Sequence, residues 1–200
     1  MKPLPLSFYR RDTETVAREL LGQYLCRRLP DGRLLSGRIV EAEAYLGVTD
    51  RACHTFGGRR TPRTETMYAN GGVAYVYLIY GMYHCLNAVA SHEGEPEAVL
   101  IRALAPEQGH DYWQEQYPKL KPHQWLSGPG RLCRALHVDK TCNGLSLRSD
   151  ELWIARGKKI EAASIISSPR IGVDYAGEAT LWPLRFSVAG ERSVSRPHPK

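Results

Sequence analysis

Residues 73–90 read VAYVYLIYGMYHCLNAVA, a pattern that predicts two strands joined by a turn. Successive side chains of a strand point to opposite faces, so Tyr75 and Tyr77 share one face of a predicted strand at 73–79. Tyr80-Gly81 can form a turn, and residues 83–90 can return as the antiparallel partner. The surrounding residues 67–91 contain no Asp, Glu, Lys or Arg, but glycines and polar side chains interrupt them throughout. A lipid span needs about 20 mostly apolar residues, so the stretch predicts a tyrosine-rich hairpin and no membrane contact.

Further strands are predicted at residues 24–29, 35–45, 98–105, 152–155, 164–167 and 184–188. Asp12 is placed to begin a short helix that Gly22 ends, and residues 132–136 predict another. Residues 47–70 are mostly polar and predict a long functional loop rather than a linker. Strands without regularly alternating helices favour an α+β fold with a curved, mixed but mostly antiparallel sheet. We expect residues 1–200 to form a single domain with surrounding helices and a protruding β-hairpin.

The charge balance favours a polyanionic partner. Among the 200 residues, Lys and Arg number 27 and Asp and Glu 21, which gives a formal charge of +6. A positive surface attracts phosphates and gains free energy from counterion release. The five cysteines are odd in number and widely spaced, unlike a disulfide framework. The first residues lack the apolar core of a signal peptide, so a cytoplasmic protein with reduced thiols is expected.

Two carboxylates stand close together in the predicted strand at 35–45. Period-two alternation puts Ile39, Glu41, Glu43 and Tyr45 on one face. A carboxylate at the edge of a pocket can take a proton from water as a general base. Two carboxylates among apolar residues can equally form an exposed strand face paired with arginines. The spacing leaves both interpretations open.

Aromatic and basic side chains cluster around the hairpin. Five of the eleven tyrosines lie here: Tyr68, Tyr75, Tyr77, Tyr80 and Tyr83. Their rings suit stacking on nucleobases, which contributes about 1–3 kcal/mol per base in single-strand binders, but aromatic residues also simply pack sheets. Arg59, Arg60 and Arg63 lie in a Gly- and Pro-containing loop that could approach a phosphate backbone or remain solvated.

No metal site or cofactor is expected. Cys53-His54 and His84-Cys85 are adjacent pairs, and adjacent residues cannot easily share one zinc tetrahedron. Residues 127–130 read SGPG and lack the lysine of a phosphate-binding loop.

Ordered motifs across nearly the whole chain resemble the alkyladenine (3-methyladenine) DNA glycosylase family, and we expect a bacterial member. The matching blocks are GRIVEAEAY at 37–45, His54 with Gly57-Gly58 and Thr61-Pro62-Arg63, AYVYLIYGMYHCLN at 74–87, LIRAL at 100–104, GPGRLC at 128–133 and PRIGV at 169–173.

The resemblance implies a role for each matching residue. Glu43 matches the carboxylate that activates the attacking water, and Arg102 matches the basic residue near that water. Tyr45, His54 and Tyr77 match the walls of a pocket for an extruded base, and Asn87 matches the residue that clashes with the amino group of guanine. Tyr80 matches the side chain inserted into the duplex. Arg59, Arg60, Arg63 and Tyr83 are assigned to the DNA backbone, whereas Glu41 has no assigned chemistry and is expected to be structural.

The implied function is base-excision repair of double-stranded DNA. The enzyme would flip out an alkylated purine and hydrolyse its N-glycosidic bond, leaving an abasic site without strand cleavage. Substrates would be 3-methyladenine and 7-methylguanine, with hypoxanthine and ethenoadenine in a wider range. We expect a nucleoid-associated monomer without an obligate protein partner.

Two alternatives remain at this point. The family's fold resembles the C-terminal domain of methionyl-tRNA formyltransferase, so a silent nucleic-acid-binding module could share it. A glycosidase could instead use Glu41 and Glu43 as an acid and base pair. The tyrosine-rich segment and basic charge argue against a carbohydrate substrate. The loop at 91–96 looks longer than in mammalian relatives, so Arg102 is aligned across a gap.

Overall fold

A computed structural model describes residues 1–195 of the chain. The strands of this part are β1 (Tyr24–Arg28), β2 (Leu34–Tyr45), β3 (Ala74–Ile79), β4 (Tyr83–Ala90), β5 (Glu97–Gln108), β6 (Leu152–Ala155), β7 (Ile165–Ser168) and β8 (Arg185–Val188). The α-helices are α1 (Leu6–Tyr9), α2 (Thr13–Leu20), α3 (His110–Gln116) and α4 (Pro129–Ala135). The predicted α+β class is confirmed.

The strands join in one curled sheet of order β3-β4-β5-β2-β1-β6. β2 lies in its middle, with β5 along one edge. β1 and β8 lie one after the other along the opposite edge of β2. β1 pairs with Leu34–Arg38, and β8 pairs with Glu41–Glu43. β7 pairs with β8, and every strand pair recorded within residues 1–195 is antiparallel. The C-terminal half of β2 is therefore surrounded by the strands that form the site described below.

The prediction that Ile39 shares a strand face with Glu41 is wrong, because the pairing of β2 with β5 is irregular. Ile39 pairs with Leu104, but Glu41 pairs with Ala103 and Ala42 with Ile101. Val40 on β2 and Arg102 on β5 are thus left without a partner in the register, as in a β-bulge. The bulge reverses the alternation, so Ile39 packs in the main core with Ala42 and Ala44 rather than beside Glu41.

One main hydrophobic core runs through the chain, from Leu4 to Phe186. Helix α2 contributes Val16, Ala17 and Leu20 to it. The Asp12 carboxylate accepts a hydrogen bond from the Thr15 amide (2.7 Å) and caps this helix as predicted. The described residues form one compact domain. The prediction of a single domain covers residues 1–200, of which 196–200 lie outside the described residues. None of the helices within residues 1–195 is long and apolar enough to cross a membrane.

The predicted hairpin forms, with β4 at the predicted bounds and β3 one residue shorter. Helix α1 was not predicted from the sequence. α4 begins at Pro129 instead of Leu132, because proline fits the first turn of a helix, where its missing N–H costs no hydrogen bond.

Candidate active site

A cavity of about 850 Å³ opens between the β3–β4 hairpin, the N-terminal end of α4 and the segment 171–175. Its lining contains most of the residues singled out from the sequence: Tyr45, His54, Tyr77, Tyr80, Tyr83, Asn87 and Arg102. The fold therefore brings together residues that are spread over almost sixty positions of the chain. The cavity is large enough for a flat group the size of a nucleobase.

Glu43 lies directly behind the wall of this cavity. Its side chain is fully buried, and the Tyr45 hydroxyl donates to Oε2 (2.9 Å). The Ile171 amide donates to Oε1 (2.9 Å), and Arg102 Nη1 lies 3.3 Å from the same oxygen. Tyr45, Arg102 and Ile171 all line the cavity. The arrangement thus holds a fully buried carboxylate against three residues of the cavity wall, although Glu43 is not itself one of the lining residues.

Arg102 reaches both acids of β2. Its Nε donates to Glu41 Oε1 (3.0 Å), and its Nη1 faces Glu43. The side chain is buried, and burial acts to lower its pKa, but the charges of Glu43 and Glu41 outweigh burial and raise it. The guanidinium thus remains a fixed positive charge beside Glu43.

Glu41 is a buried charge that is fully compensated. Arg185 Nε donates to Oε1 (2.8 Å), in addition to Arg102. Ser195 donates from its amide to Oε2 (2.7 Å) and from its hydroxyl to Oε1 (2.9 Å). Burial acts to raise the pKa of Glu41, but the charge of Arg102, the Ser195 amide and Arg185 hold it below its ordinary value. Neither acid lines the cavity itself, but Glu43 is contacted by three residues of the lining, whereas Glu41 is contacted by Arg102 alone among them.

The imidazole of His54 is held among aromatic rings. Its Nδ1 lies 2.9 Å from the Tyr75 hydroxyl, and its ring meets that of Tyr77 edge to face, with centroids 4.6 Å apart. Burial, followed by the charges of Arg63 and Arg59, lowers the pKa of His54 to about 4. At neutral pH the cavity therefore presents an uncharged imidazole next to electron-rich rings.

Asn87 and Tyr45 are also fixed in place. Asn87 Nδ2 donates to the carbonyl of Tyr75 (3.1 Å), and the side chain is buried at the cavity wall. This bond links the amide of Asn87 on β4 to the backbone of the neighbouring strand β3. The ring of Tyr45 is covered by the Arg170 guanidinium at 4.8 Å.

The tip of the hairpin projects into solvent. Tyr80 is 80% exposed and has a positive φ of 54°, followed by Gly81 at 69°. Met82 and Tyr83 beside it are also exposed. Tyr83 packs over Gly130, where an added Cβ would lie 3.0 Å from the tyrosine side chain. Large apolar side chains exposed at the mouth of a cavity mark a surface that binds another molecule.

The three arginines of the 47–70 loop have different surroundings. Arg60 forms two hydrogen bonds with Glu65 (2.9 and 2.6 Å) and stacks on Tyr68. Arg63 lies over the ring of Tyr77 at 5.1 Å. The side chain of Arg59 is exposed, and its charge acts on His54. None of the three is among the residues that line the cavity.

Sequence reasoning missed the residues that hold the back of the site. Arg170 Nη2 donates to Asp50 (2.8 Å) and Arg170 Nη1 to the carbonyl of Ala44 (2.9 Å), all buried. These bonds fix the segment after Ser168 against β2, so that the Ile171 amide meets Glu43. The motif PRIGV at 169–173 was the available signal, but it carries no residue type that suggests catalysis. Tyr175, an exposed aromatic residue of the cavity lining, was missed as well.

A search of residues 1–195 finds no group of three or more His, Cys, Asp or Glu side chains that could hold a metal ion. Cys53 Sγ instead lies 3.1 Å from the Thr55 hydroxyl, and the five thiols are free and buried.

The curled sheet and the aromatic cavity beside the buried pair of Glu43 and Arg102 fit an enzyme whose pocket takes a flat group. Residues 7–192 match the model of the methylpurine-DNA glycosylase family, and the chain belongs to this family. The chain is therefore a DNA glycosylase of DNA repair, an enzyme whose substrate is DNA. The resemblance drawn from the sequence motifs is confirmed, and so is the prediction of an enzyme rather than a silent binding module.

Curated relatives resemble this chain along its whole length. A protein of Desulfitobacterium hafniense is 45% identical over 98% of this chain and 99% of its own. A protein of Bacillus cereus is 48% identical over 96% of this chain and 98% of its own, and one of Methanocella arvoryzae is 47% identical over 100% and 98%. All three bear the name "Putative 3-methyladenine DNA glycosylase".

Proposed function

We propose that this protein excises alkylated purines from double-stranded DNA by hydrolysis of the N-glycosidic bond and leaves an uncut abasic site. 3-Methyladenine and 7-methylguanine are the proposed main substrates, and hypoxanthine and ethenoadenine belong to the wider range. The observation that carries the proposal is the buried carboxylate of Glu43, which sits between Arg102, Tyr45 and the Ile171 amide behind an aromatic cavity.

The cavity accounts for base extrusion and selection. A base must leave the stack before its sugar bond becomes accessible, which costs a few kcal/mol and less for a damaged pair. Tyr80 would fill the space that the base leaves, as apolar wedges do in bent duplexes. The rings of Tyr45 and Tyr77, each with an arginine over one face, would stack on the alkylpurine, and Asn87 would exclude the amino group of guanine. Arg59, Arg60, Arg63 and Tyr83 would contact the phosphate backbone.

The chemistry follows from the position of Glu43. Glu43 accepts a proton from a water molecule in the cavity while the water oxygen bonds to the anomeric carbon. The bond from that carbon to the purine breaks, and its electron pair neutralises the positive charge of an alkylated base. The anion of Glu43 also stabilises the oxocarbenium character of the sugar. No lysine of the described residues lines the cavity, in keeping with water as the nucleophile and an unbroken strand.

The protein is further proposed to act as a monomer without an obligate partner, in the cytoplasm at the nucleoid. The residues proposed for catalysis and base binding all come from one chain and meet at one cavity, so the proposed site requires no residue of a second copy.

The decisive experiment incubates the purified protein with methylated duplex DNA, without added metal. We expect free 3-methyladenine by chromatography and an intact strand that breaks only when alkali cleaves the abasic site. Glu43→Gln should reduce the single-turnover rate by about 10²–10⁴-fold, because removal of a general base typically costs this much. Glu14→Gln, an acid at the exposed face of α2, is the matched control and should retain full activity. No release by the wild type, or undiminished release by Glu43→Gln, contradicts the proposal.

A further inference from the structure

The carboxylate of Glu41 joins three segments behind the site. It receives Arg102 from β5, Arg185 from β8 and both donors of Ser195 from the segment after β8. Glu41 is fully buried and does not line the cavity. Of the residues that Glu41 contacts, only Arg102 lines the cavity, and Arg102 also faces Glu43, so an effect of Glu41 on the cavity passes through Arg102.

The guanidinium of Arg102 has three separate contacts. Nε is bonded to Glu41, Nη1 faces Glu43, and Nη2 lies 3.4 Å from the Ser195 hydroxyl. A guanidinium is a planar fork, so contacts in three directions fix both its plane and its rotation within that plane. This matters at Arg102, because its backbone lies in a bulge where no residue of β2 pairs with it. The orientation of the side chain thus depends on Glu41 and Ser195.

Ser195 is itself held from two sides. The Ser127 hydroxyl, at the cavity wall, donates to the carbonyl of Val194 (3.3 Å). Glu191 accepts from the Ser193 amide (3.1 Å) and forms an ion pair with Arg38 of β2 (2.9 Å). These contacts bring the segment 193–195 across β2 and present both donors of Ser195 to the oxygens of Glu41.

We infer that Ser195 is a positioning residue for the hydrolysis proposed above: with Glu41 it aims the guanidinium of Arg102 at the carboxylate of Glu43. The inference rests on the proposed function, because it assigns Ser195 an effect on that reaction. A purely structural role differs in its consequences. A serine that only compensates the buried charge of Glu41 affects the stability of the fold but not the reactivity of Glu43.

The experiment compares Ser195→Ala, Ser195→Thr and Ser193→Ala in the full chain. Ser195→Ala removes the hydroxyl but keeps the amide donor and both arginines on Glu41, so the protein should still fold. Ser193 is buried in the same segment and its amide, not its hydroxyl, contacts Glu191, which makes Ser193→Ala a matched control. Single-turnover release of 3-methyladenine is measured with enzyme in excess, together with the Kd for a duplex that carries an uncleavable abasic analogue.

We expect Ser195→Ala to slow single-turnover release by about 3- to 30-fold, since small errors in the position of a catalytic group can cost up to about 10²-fold. Kd should change less than twofold, Ser193→Ala should match the wild type, and Ser195→Thr should recover most of the rate.

Three results would overturn the inference: wild-type release by Ser195→Ala, an equal loss in Ser193→Ala, or a loss that appears only in Kd or thermal stability and not in the single-turnover rate. These results differ from a failure of the proposed function. If the wild-type protein releases no alkylated base, the reaction itself is wrong, whereas a normal wild type with an unaffected Ser195→Ala rejects only the positioning role.

Discussion

His54 presents its imidazole to the cavity in the neutral form. Burial and the charges of Arg63 and Arg59 lower its pKa to about 4, and its Nδ1 contacts the hydroxyl of Tyr75. Burial raises the pKa of Tyr75 to about 12, so the hydroxyl keeps its proton. A protonated imidazole would add a second positive charge beside a cationic purine. The low pKa of His54 is therefore favourable for the proposed substrates.

The same low pKa makes the fold sensitive to acid. An unfolded histidine titrates near pH 6.5, so between about pH 6.5 and 4 the unfolded state binds a proton that the folded state does not. The contribution of His54 to stability is thus complete above pH 6.5 and is lost as the pH falls towards 4. Between pH 7.5 and 5 the free energy of unfolding of the wild type should therefore fall by about 2 kcal/mol more than that of His54→Gln. Urea unfolding at both pH values measures it.

His92→Gln serves as the control for this prediction, because His92 lies exposed in the loop at 91–96. It should lose as much stability on acidification as the wild type does. Equal losses in the wild type and His54→Gln would show that His54 is not held neutral by the fold.

Individual residues of the site differ in how far the sequence could reveal them. Glu43, Tyr45 and His54 stand in recognisable motifs. The partners of Glu41 do not, because Arg185 and Ser195 follow it by 144 and 154 positions. A sequence shows that a buried acid requires compensation, but only the path of the chain decides which distant donor supplies it.

Among the secondary-structure elements, the pairing of β2 with β5 matters most for the site. Alternation along a regular strand predicts Ile39 beside Glu41, and the bulge at Val40 and Arg102 reverses this. A bulge costs one pairing and redirects a side chain, which here turns Arg102 towards two carboxylates. Its position depends on how two distant strands fit together, so the periodicity of either strand alone could not predict it. The turn at Tyr80-Gly81 was predictable, because its signal is local.

The contact between β2 and β5 also depends on Gly37. A Cβ at this position would lie 2.8 Å from Leu104 Cβ and 3.0 Å from the carbonyl of Ala105, both of which belong to β5. Because neither atom can rotate away, we expect Gly37→Ala to lower the free energy of unfolding by about 1–3 kcal/mol, the usual cost of overpacking. Urea denaturation of the purified variant gives this value.

Ser36→Ala is the matched control on the same strand. The Ser36 hydroxyl is buried, and no hydrogen-bond partner for it occurs among the described residues, so its removal should leave stability unchanged or raise it. An equally stable Gly37→Ala variant would mean that the two strands can separate at this point without cost.

At the scale of the whole molecule, the formal charge of +6 indicates a polyanionic partner but not where it binds. The fold decides this, because it directs some arginines towards acids and leaves others exposed. The charge of Arg60 is compensated by Glu65, whereas Arg59 is exposed near enough to the cavity to act on His54. Arg33, just before β2, is paired with Asp31. It lies about 26 Å along the strand from Glu41, since a strand rises about 3.3 Å per residue.

These positions predict how DNA affinity should depend on salt. Each phosphate contact releases condensed counterions, so the logarithm of the binding constant falls linearly with the logarithm of the salt concentration. We expect Arg59→Ala to reduce the magnitude of this slope by about 1 and to weaken damaged and undamaged duplexes equally, since a phosphate contact carries no base specificity. Fluorescence anisotropy between low and moderate salt measures both. Arg33→Ala removes the same charge far from the cavity and should leave the slope at its wild-type value. A wild-type slope for Arg59→Ala, or an equal reduction in both variants, would mean that the net charge, and not the loop beside the cavity, binds the backbone.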